Sequence, residues 1–178
     1  LSPKQVWQHF ETLCTIPRPS KHEQQLRQHL QDWAEQRSLD TYIDEIGNLI
    51  IRKAAAAGKE QVTGVILQGH LDMVTQVNRG TQHDFFKDPI QSVLKDGWLI
   101  AENTTLGADN GIGVAFALAV LESNDIAHGP IEVLLTIDEE AGMSGARLLQ
   151  AGVLKGKWLF NIDTEEWGEL YLGCAGSI

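Results

Sequence analysis

In the stretch VTGVILQGHLDM, residues 62–73, a short apolar run is followed closely by a histidine and an aspartate. The run VIL at residues 65–67 predicts a buried β-strand, because aliphatic and β-branched residues favour that structure. His70 and Asp72 are two positions apart, and such residues point to the same side of an extended chain. We therefore expect both side chains at the carboxyl end of a buried strand, which is where open α/β sheets bind ligands.

A histidine beside a carboxylate is a frequent arrangement at metal sites, because the acid accepts the second ring proton and orients the imidazole. Taken alone, His70 would more often be a core histidine and Asp72 a turn residue. Three further acidic positions near predicted strand or helix ends favour the metal site, namely Asp109, the pair Glu139 and Glu140, and Asp163.

Asp109 lies in a glycine-rich loop, with Gly107 before it and Gly111 and Gly113 after it, that leads into a predicted helix. Aspartate is a good helix N-cap, and this is the simpler interpretation of the residue. The glycines, however, permit unusual backbone angles and the close approach of a bound group. We interpret the loop as part of the ligand site.

The remaining acids follow two apolar runs, residues 131–137 and 158–162, that predict buried strands. Glu139 and Glu140 follow the first run, and Asp163 ends the second. Neighbouring carboxylates repel one another, and a divalent cation removes that cost. A solvated acidic loop is the simpler alternative for the Glu pair by itself, but acids at several strand ends together indicate one shared site.

One imidazole with several carboxylates and no cysteine suits zinc, cobalt or manganese better than a structural zinc site built from thiolates. The acids outnumber the ligands that one ion needs, which favours two ions about 3.5–4 Å apart with a shared carboxylate. Such a site acidifies bound water and polarises a carbonyl, and a carboxylate that binds no metal can act as general base. The pattern predicts a hydrolase.

The composition narrows the class of protein. The chain has 178 residues, 43% of them hydrophobic, and a formal net charge of −10, so we expect one domain with a substantial core. The negative charge and the lack of a basic run disfavour nucleic-acid and anionic-membrane partners. Cys14 and Cys174 form no disulfide framework, and we see neither a signal peptide nor a membrane-spanning stretch. We therefore expect a cytoplasmic protein.

Apolar strands alternate with helical patterns along the chain. Two capping boxes, Ser2 with Gln5 and Ser20 with Glu23, predict the starts of two helices, and residues 169–172 are a candidate for a last strand. The alternation predicts an α/β fold with a mixed, largely parallel sheet sandwiched by helices.

Four blocks of the sequence resemble the M20 metallopeptidases. They are GHLDMV at 69–74, TTLGADNGIG at 104–113, TIDEEAGM at 136–143 and NIDTEE at 161–166. Three further blocks are similar to one subgroup of that family, the bacterial aminoacyl-histidine (Xaa-His) dipeptidases: HDFFKDPI at 83–90, HGPIEVLLT at 128–136 and GCAG at 173–176. The resemblance implies metal-dependent hydrolysis of Xaa-His dipeptides such as β-alanyl-histidine, and a zinc-peptidase-like catalytic domain.

The resemblance also implies the metal ligands. His70 and Asp163 would bind one divalent ion, Glu140 would bind a second, and Asp109 would bridge the two. Zinc is the expected metal, with cobalt or manganese as alternatives. A cis peptide bond is expected at Asp109-Asn110.

The two expected catalytic residues come from the same resemblance. Asp72 would orient His70, and Glu139 would be the general base that takes a proton from the attacking water and passes it to the leaving amine. Asp138 stands where the family pattern has threonine, and an extra carboxylate there could raise the pKa of Glu139 or be masked by solvent.

Parts of the family pattern are missing. The second metal site of the family takes a histidine from far downstream, and the substrate pocket uses a lid domain. His83 and His128 are candidates to replace that histidine. We interpret residues 1–178 as the N-terminal portion of the catalytic domain, without the lid domain and the C-terminal part, and we expect the full-length protein to be a homodimer.

Two alternatives stay open at this point. A related amidohydrolase of the aminoacylase or desuccinylase type would share the metal chemistry and differ in substrate. A truncated module that binds at most one metal ion would hydrolyse nothing.

Overall fold

The computed structural model describes residues 1–164, 166 and 168–173. Its helices are α1 Lys4–Thr15, α2 Gln24–Glu35, α3 Ala108–Glu122 and α4 Ser144–Arg147. Its strands are β1 Asp40–Ile43, β2 Leu49–Lys53, β3 Val65–His70, β4 Ser92–Lys95, β5 Trp98–Ala101, β6 Ile131–Thr136 and β7 Trp158–Asn161. Cys174 and the end of the GCAG block lie outside the described residues.

Five strands form one mixed sheet in the order β1-β2-β6-β3-β7, and β4 and β5 form a separate hairpin. The pairings of β1 with β2 and of β2 with β6 are antiparallel, whereas β3 lies parallel to both β6 and β7. His70 stands opposite Thr136, and Gln68 stands opposite Asn161. The carboxyl ends of β3, β6 and β7 therefore meet at one edge of the sheet. The predicted α/β class with a mixed sheet is confirmed.

Alternation along the strands divides the apolar side chains between the two faces of the sheet. Leu49, Ile51 and Val133 face a core that contains residues from α1, α2 and α3. Ile50 and Leu134 point to the other face, where residues from the segment after α4 cover them, namely Leu149, Val153 and Leu154. Helical and loop layers thus enclose the central strands on both faces.

Neither predicted capping box forms. The residues before α1 and α2 make no side-chain cap hydrogen bond. The Ser20 hydroxyl instead donates to Asp72, and the Glu23 carboxylate accepts the backbone N–H groups of Lys21 and Asp138. These two side chains serve long-range contacts at the sheet edge and are not available to the helix start.

The third apolar strand, β7, was predicted to be buried, and this is wrong. Among the described residues it lies at the edge of the sheet and pairs with β3 alone, and the relative exposures of Trp158, Leu159 and Phe160 are 64%, 51% and 52%. The strand predicted at residues 169–172 is also wrong, since the described residues 168–173 contain none. In the described part of the chain, no helix has the length and apolar character that a bilayer crossing requires.

The core makes a direct prediction for stability. Leu135 lies in β6 between two neighbouring strands and is 0% exposed, whereas Leu94 in β4 is 59% exposed. Leu135→Ala leaves a cavity and should lower the free energy of unfolding by about 2–5 kcal/mol. Leu94→Ala is the matched control and should change it by less than about 1 kcal/mol. Urea denaturation measures both values, and equal losses would show that this core is not as described.

Candidate metal centre

The end of β3 places the imidazole of His70 inside a group of carboxylates. The ring is 1% exposed, and its Nε2 atom lies 3.0 Å from Asp109 Oδ1, 3.7 Å from Asp163 Oδ1 and 4.0 Å from Glu139 Oε2. The three acids belong to the start of α3, the segment just after β7 and the loop after β6. Side chains that are far apart in sequence therefore converge at the predicted edge of the sheet.

Asp72 connects this histidine to the glutamate pair. Its carboxylate is 0% exposed and accepts the backbone N–H groups of Glu139 at 3.0 Å and Glu140 at 3.1 Å, and also the Ser20 hydroxyl at 2.7 Å. The Nδ1 atom of His70 lies 3.1 Å from the backbone carbonyl of Asp72 and 3.4 Å from its carboxylate. One buried acid thus orients the imidazole and fixes the loop that carries both glutamates.

The close packing of His70 with several carboxylates shifts the pKa values of these groups. Burial by itself lowers the pKa of His70, but the hydrogen bond to Asp72, the charges of Asp163 and Asp72 and the hydrogen bond to Asp109 outweigh it and raise the pKa to about 9. Burial raises the pKa of Asp72, yet the hydrogen bonds that its carboxylate makes bring the pKa down to about 2. These shifts favour an ionised Asp72 and, while no metal is bound, a His70 that is protonated on both nitrogens at neutral pH.

The other acids are harder to ionise than usual. Burial raises the pKa of Asp163 to about 6, opposed by His70 and reinforced by the hydrogen bond and charge of Asp109 and by Glu139. Burial, followed by the charge of Asp109, also raises the pKa of Glu140. Carboxylates held this close together gain from a nearby cation.

The donor set fits a metal ion. One nitrogen or oxygen atom from each of His70, Asp109 and Glu140 lies within 4.8 Å of the others. Asp163 adjoins the same histidine and is close enough to Asp109 for the contact between the two carboxylates to raise the pKa of Asp163. Because Nδ1 of His70 faces Asp72, Nε2 is the atom directed at the acids, where a cation would replace its proton. Asp109 lies beside His70 and Asp163 and also within reach of Glu140, which is the position that a bridging ligand needs.

From the sequence, Asn110 has no expected role beyond the cis peptide bond, although its side chain ties three of these segments together. Its buried amide accepts the backbone N–H of His70 at 3.3 Å and donates to the carbonyl of Ile162 at 2.8 Å. A Cβ at Gly69 would clash with Asn110 Oδ1, and one at Gly113 would lie 2.7 Å from its Nδ2. At Gly69 the close approach is therefore made by a side chain of the protein itself, and at Gly113 it is made by that side chain together with the backbone carbonyl of Ile162. The peptide bond between Asp109 and Asn110 is cis.

Three other predicted positions lie away from this group. Asp138 is 4% exposed, and its carboxylate accepts the Ser144 hydroxyl at 2.7 Å. His83 stacks edge-on against Phe85, and His128 contacts the carbonyl of Gly129 before β6. In the residues that the structure describes, neither histidine joins the metal-ligating group.

Comparison with known proteins supports this description. Residues 66–173 match peptidase family M20/M25/M40. The chain is 53% identical over its whole length to the cytosol non-specific dipeptidase of Escherichia coli (strain K12), of which it covers 37%. It superimposes on aminoacylhistidine dipeptidase from Vibrio alginolyticus with a TM-score of 0.96 and 56% identity, over 98% of this chain and 36% of that one.

A more distant structure shares the fold. Aminopeptidase PepT from Bacillus cereus ATCC 10987 gives a TM-score of 0.76 at 26% identity, over 92% of this chain and 44% of that one. The chain thus spans less than half the length of these relatives. The family match covers most of the chain and includes His70, Asp109, Glu140 and Asp163. This protein therefore belongs to peptidase family M20/M25/M40.

Proposed function

We propose that the protein is a metal-dependent dipeptidase that hydrolyses Xaa-His dipeptides such as β-alanyl-histidine. The observation that carries the proposal is the position of Asp109, which lies next to the His70–Asp163 pair and also within metal-ligating reach of Glu140. The names of the relatives from E. coli and V. alginolyticus support a dipeptide substrate.

The ligand roles follow from this arrangement. His70 and Asp163 would hold one divalent ion, Glu140 the other, and Asp109 both. When bound, the ions would polarise the scissile carbonyl and lower the pKa of a water molecule. Zinc, cobalt and manganese all suit one imidazole with several carboxylates.

Glu139 is the acid we assign as general base. Its carboxylate lies 4.0 Å from His70 Nε2 and its side chain is 30% exposed, so it borders the metal-ligating group and remains open to solvent. It would accept the proton of the attacking water and deliver it to the leaving amine. Asp72 holds its backbone in place and does not contact solvent.

We further propose that residues 1–178 form the N-terminal portion of the catalytic domain. The exposed apolar side chains of β7 support this, because an edge with Trp158, Leu159 and Phe160 in water is suited to cover by further chain. The lid domain, the C-terminal part and the histidine for the second ion would come from the rest of the protein. Asp109, which is 53% exposed, is open to such a partner.

Two expectations about the full-length protein stay predictions. The name of the E. coli relative supports a cytoplasmic location, which fractionation of the source cells would test. Light scattering on the purified full-length protein would test the homodimer.

The substrate is tested with the full-length protein loaded with zinc, cobalt or manganese. We expect hydrolysis of β-alanyl-histidine and other Xaa-His dipeptides and little hydrolysis of N-acyl amino acids. A preference for N-acyl amino acids would show a related amidohydrolase instead. A protein that binds at most one ion and hydrolyses neither class would be a non-catalytic module.

The role of Glu139 predicts a selective loss of rate. Glu139→Gln removes the proton acceptor and keeps the shape, so kcat should fall by about 10²–10⁴-fold while metal content stays at the wild-type value. Glu102→Gln, at an exposed position in the segment after β5, is the control and should retain full activity. A Glu139→Gln variant with wild-type kcat would remove this residue from the mechanism.

The raised pKa of His70 predicts the pH dependence of the metal-free protein. The pKa of this histidine is about 9 in the folded state and near 6.5 in the unfolded state, so its contribution to stability is full below pH 6.5. As pH rises from about 6.5 to about 9, the free energy of unfolding should therefore decrease. Urea denaturation in excess chelator measures this, with His70→Gln as the control that loses this component. A His70→Gln protein with the same slope as wild type would contradict the assignment.

A further inference from the structure

A buried arginine outside the metal-ligating group joins the two segments that carry most of it. Arg18 is 2% exposed, and its Nη1 donates to the backbone carbonyls of Leu71 at 2.9 Å and Asp72 at 3.0 Å. Its Nη2 donates to the carbonyl of Gly107 at 2.5 Å. The first two carbonyls follow His70 directly, and the third begins the loop of Asp109.

In the described residues, no carboxylate lies within 4.0 Å of the Arg18 guanidinium, and its Nε is buried without a hydrogen-bond partner. The negative charges of Asp72, Asp109 and Glu140 act on it only from farther away. An unpaired buried cation costs stability. Burial lowers the pKa of Arg18 to about 10, so the group remains charged at neutral pH. Packing alone does not account for a cation here, because its hydrogen bonds all go to backbone carbonyls beside His70 and Asp109.

The glycines around Asp109 make room for this guanidinium. A Cβ at Gly107 would lie 2.5 Å from Nη2 of Arg18, and a Cβ at Gly111 would lie 2.8 Å from the same atom. The sequence suggested that these glycines admit a bound group. The structure shows that they admit a side chain of the protein itself.

We propose that Arg18 is a positioning residue of the metal centre. Its planar fork sets the distance between the end of β3, which carries His70, and the loop that carries Asp109. Arginine suits this task because its donors diverge at fixed angles and reach two separate acceptors, whereas a lysine ammonium is a point charge. The proposal rests on the proposed function, since it assigns Arg18 to the geometry of that metal site.

The test uses the full-length protein and Co²⁺ as the metal. Arg18→Met and Arg18→Lys are compared with Arg52→Met. Arg52, on β2, bonds Glu132 on β6 at 3.1 Å and the carbonyl of Val153 at 3.0 Å. Glu132 lies near the start of β6, at the opposite end from Thr136, which pairs with His70. The readouts are the dissociation constant for Co²⁺ from chelator competition, the visible absorption spectrum of the bound cobalt, and the urea midpoint of the metal-free protein.

We expect Arg18→Met to weaken Co²⁺ binding by about 10–100-fold and to change the cobalt spectrum. Arg18→Lys should fold and show a smaller change in the same direction. Arg52→Met should lower the urea midpoint and leave both the dissociation constant and the spectrum at wild-type values.

Three outcomes overturn the proposal. The first is wild-type Co²⁺ affinity and spectrum in Arg18→Met. The second is a wild-type cobalt spectrum in Arg18→Lys, which decides the matter if Arg18→Met does not fold. The third is failure of Arg18→Lys to fold, which would make the residue structural. If the unsubstituted protein binds no Co²⁺, the proposed function itself fails, and that result is distinct from a loss confined to the Arg18 variants.

Discussion

The site depends on the hydrogen bonds that the buried carboxylate of Asp72 accepts. This carboxylate is ionised, fully removed from solvent, and bonded to the hydroxyl of Ser20 and to the backbone N–H groups of Glu139 and Glu140. Hydrogen bonds to a charged acceptor are stronger than neutral ones. A single side chain can therefore hold the end of β6 against the end of β3 and orient His70 between them.

The consequence is a cluster of acids that the protein holds together at a cost. Burial opposes the charged form of His70, yet the neighbouring carboxylates raise its pKa to about 9, and burial reinforced by Asp109 and Glu139 raises the pKa of Asp163 to about 6. A divalent cation supplies positive charge to these carboxylates better than a proton does, since it can be shared by several oxygens. The same crowding that strains the metal-free site thus favours metal binding.

The sequence was sufficient to predict those parts of the site that depend on a local pattern of residues. Apolar runs located β3, β6 and β7, and the family blocks named the six residues from His70 to Asp163 to which we assign roles. Their proximity is now described, while their roles remain to be tested. The mixed sheet also followed from the alternation of strands and helices.

Long-range partners could not be predicted in this way. Ser20 and Glu23 have the spacing of a capping box, yet both bond to groups about fifty to more than one hundred residues away. Arg18 lies between two prolines and gave no signal in the sequence. The burial of β7 was misjudged because hydrophobicity reports what a strand prefers, not whether a neighbour is present to cover it.

The central claim is that the ends of β3, β6 and β7 and the start of α3 hold two ions, with Asp109 bound to both. Anomalous diffraction at the zinc edge from crystals of the full-length protein tests it most directly. We predict two peaks about 3.5–4 Å apart, each about 2.0–2.2 Å from a carboxylate oxygen of Asp109, with His70 and Asp163 at one and Glu140 at the other. A single peak, or a pair of peaks that does not share Asp109, would contradict the claim.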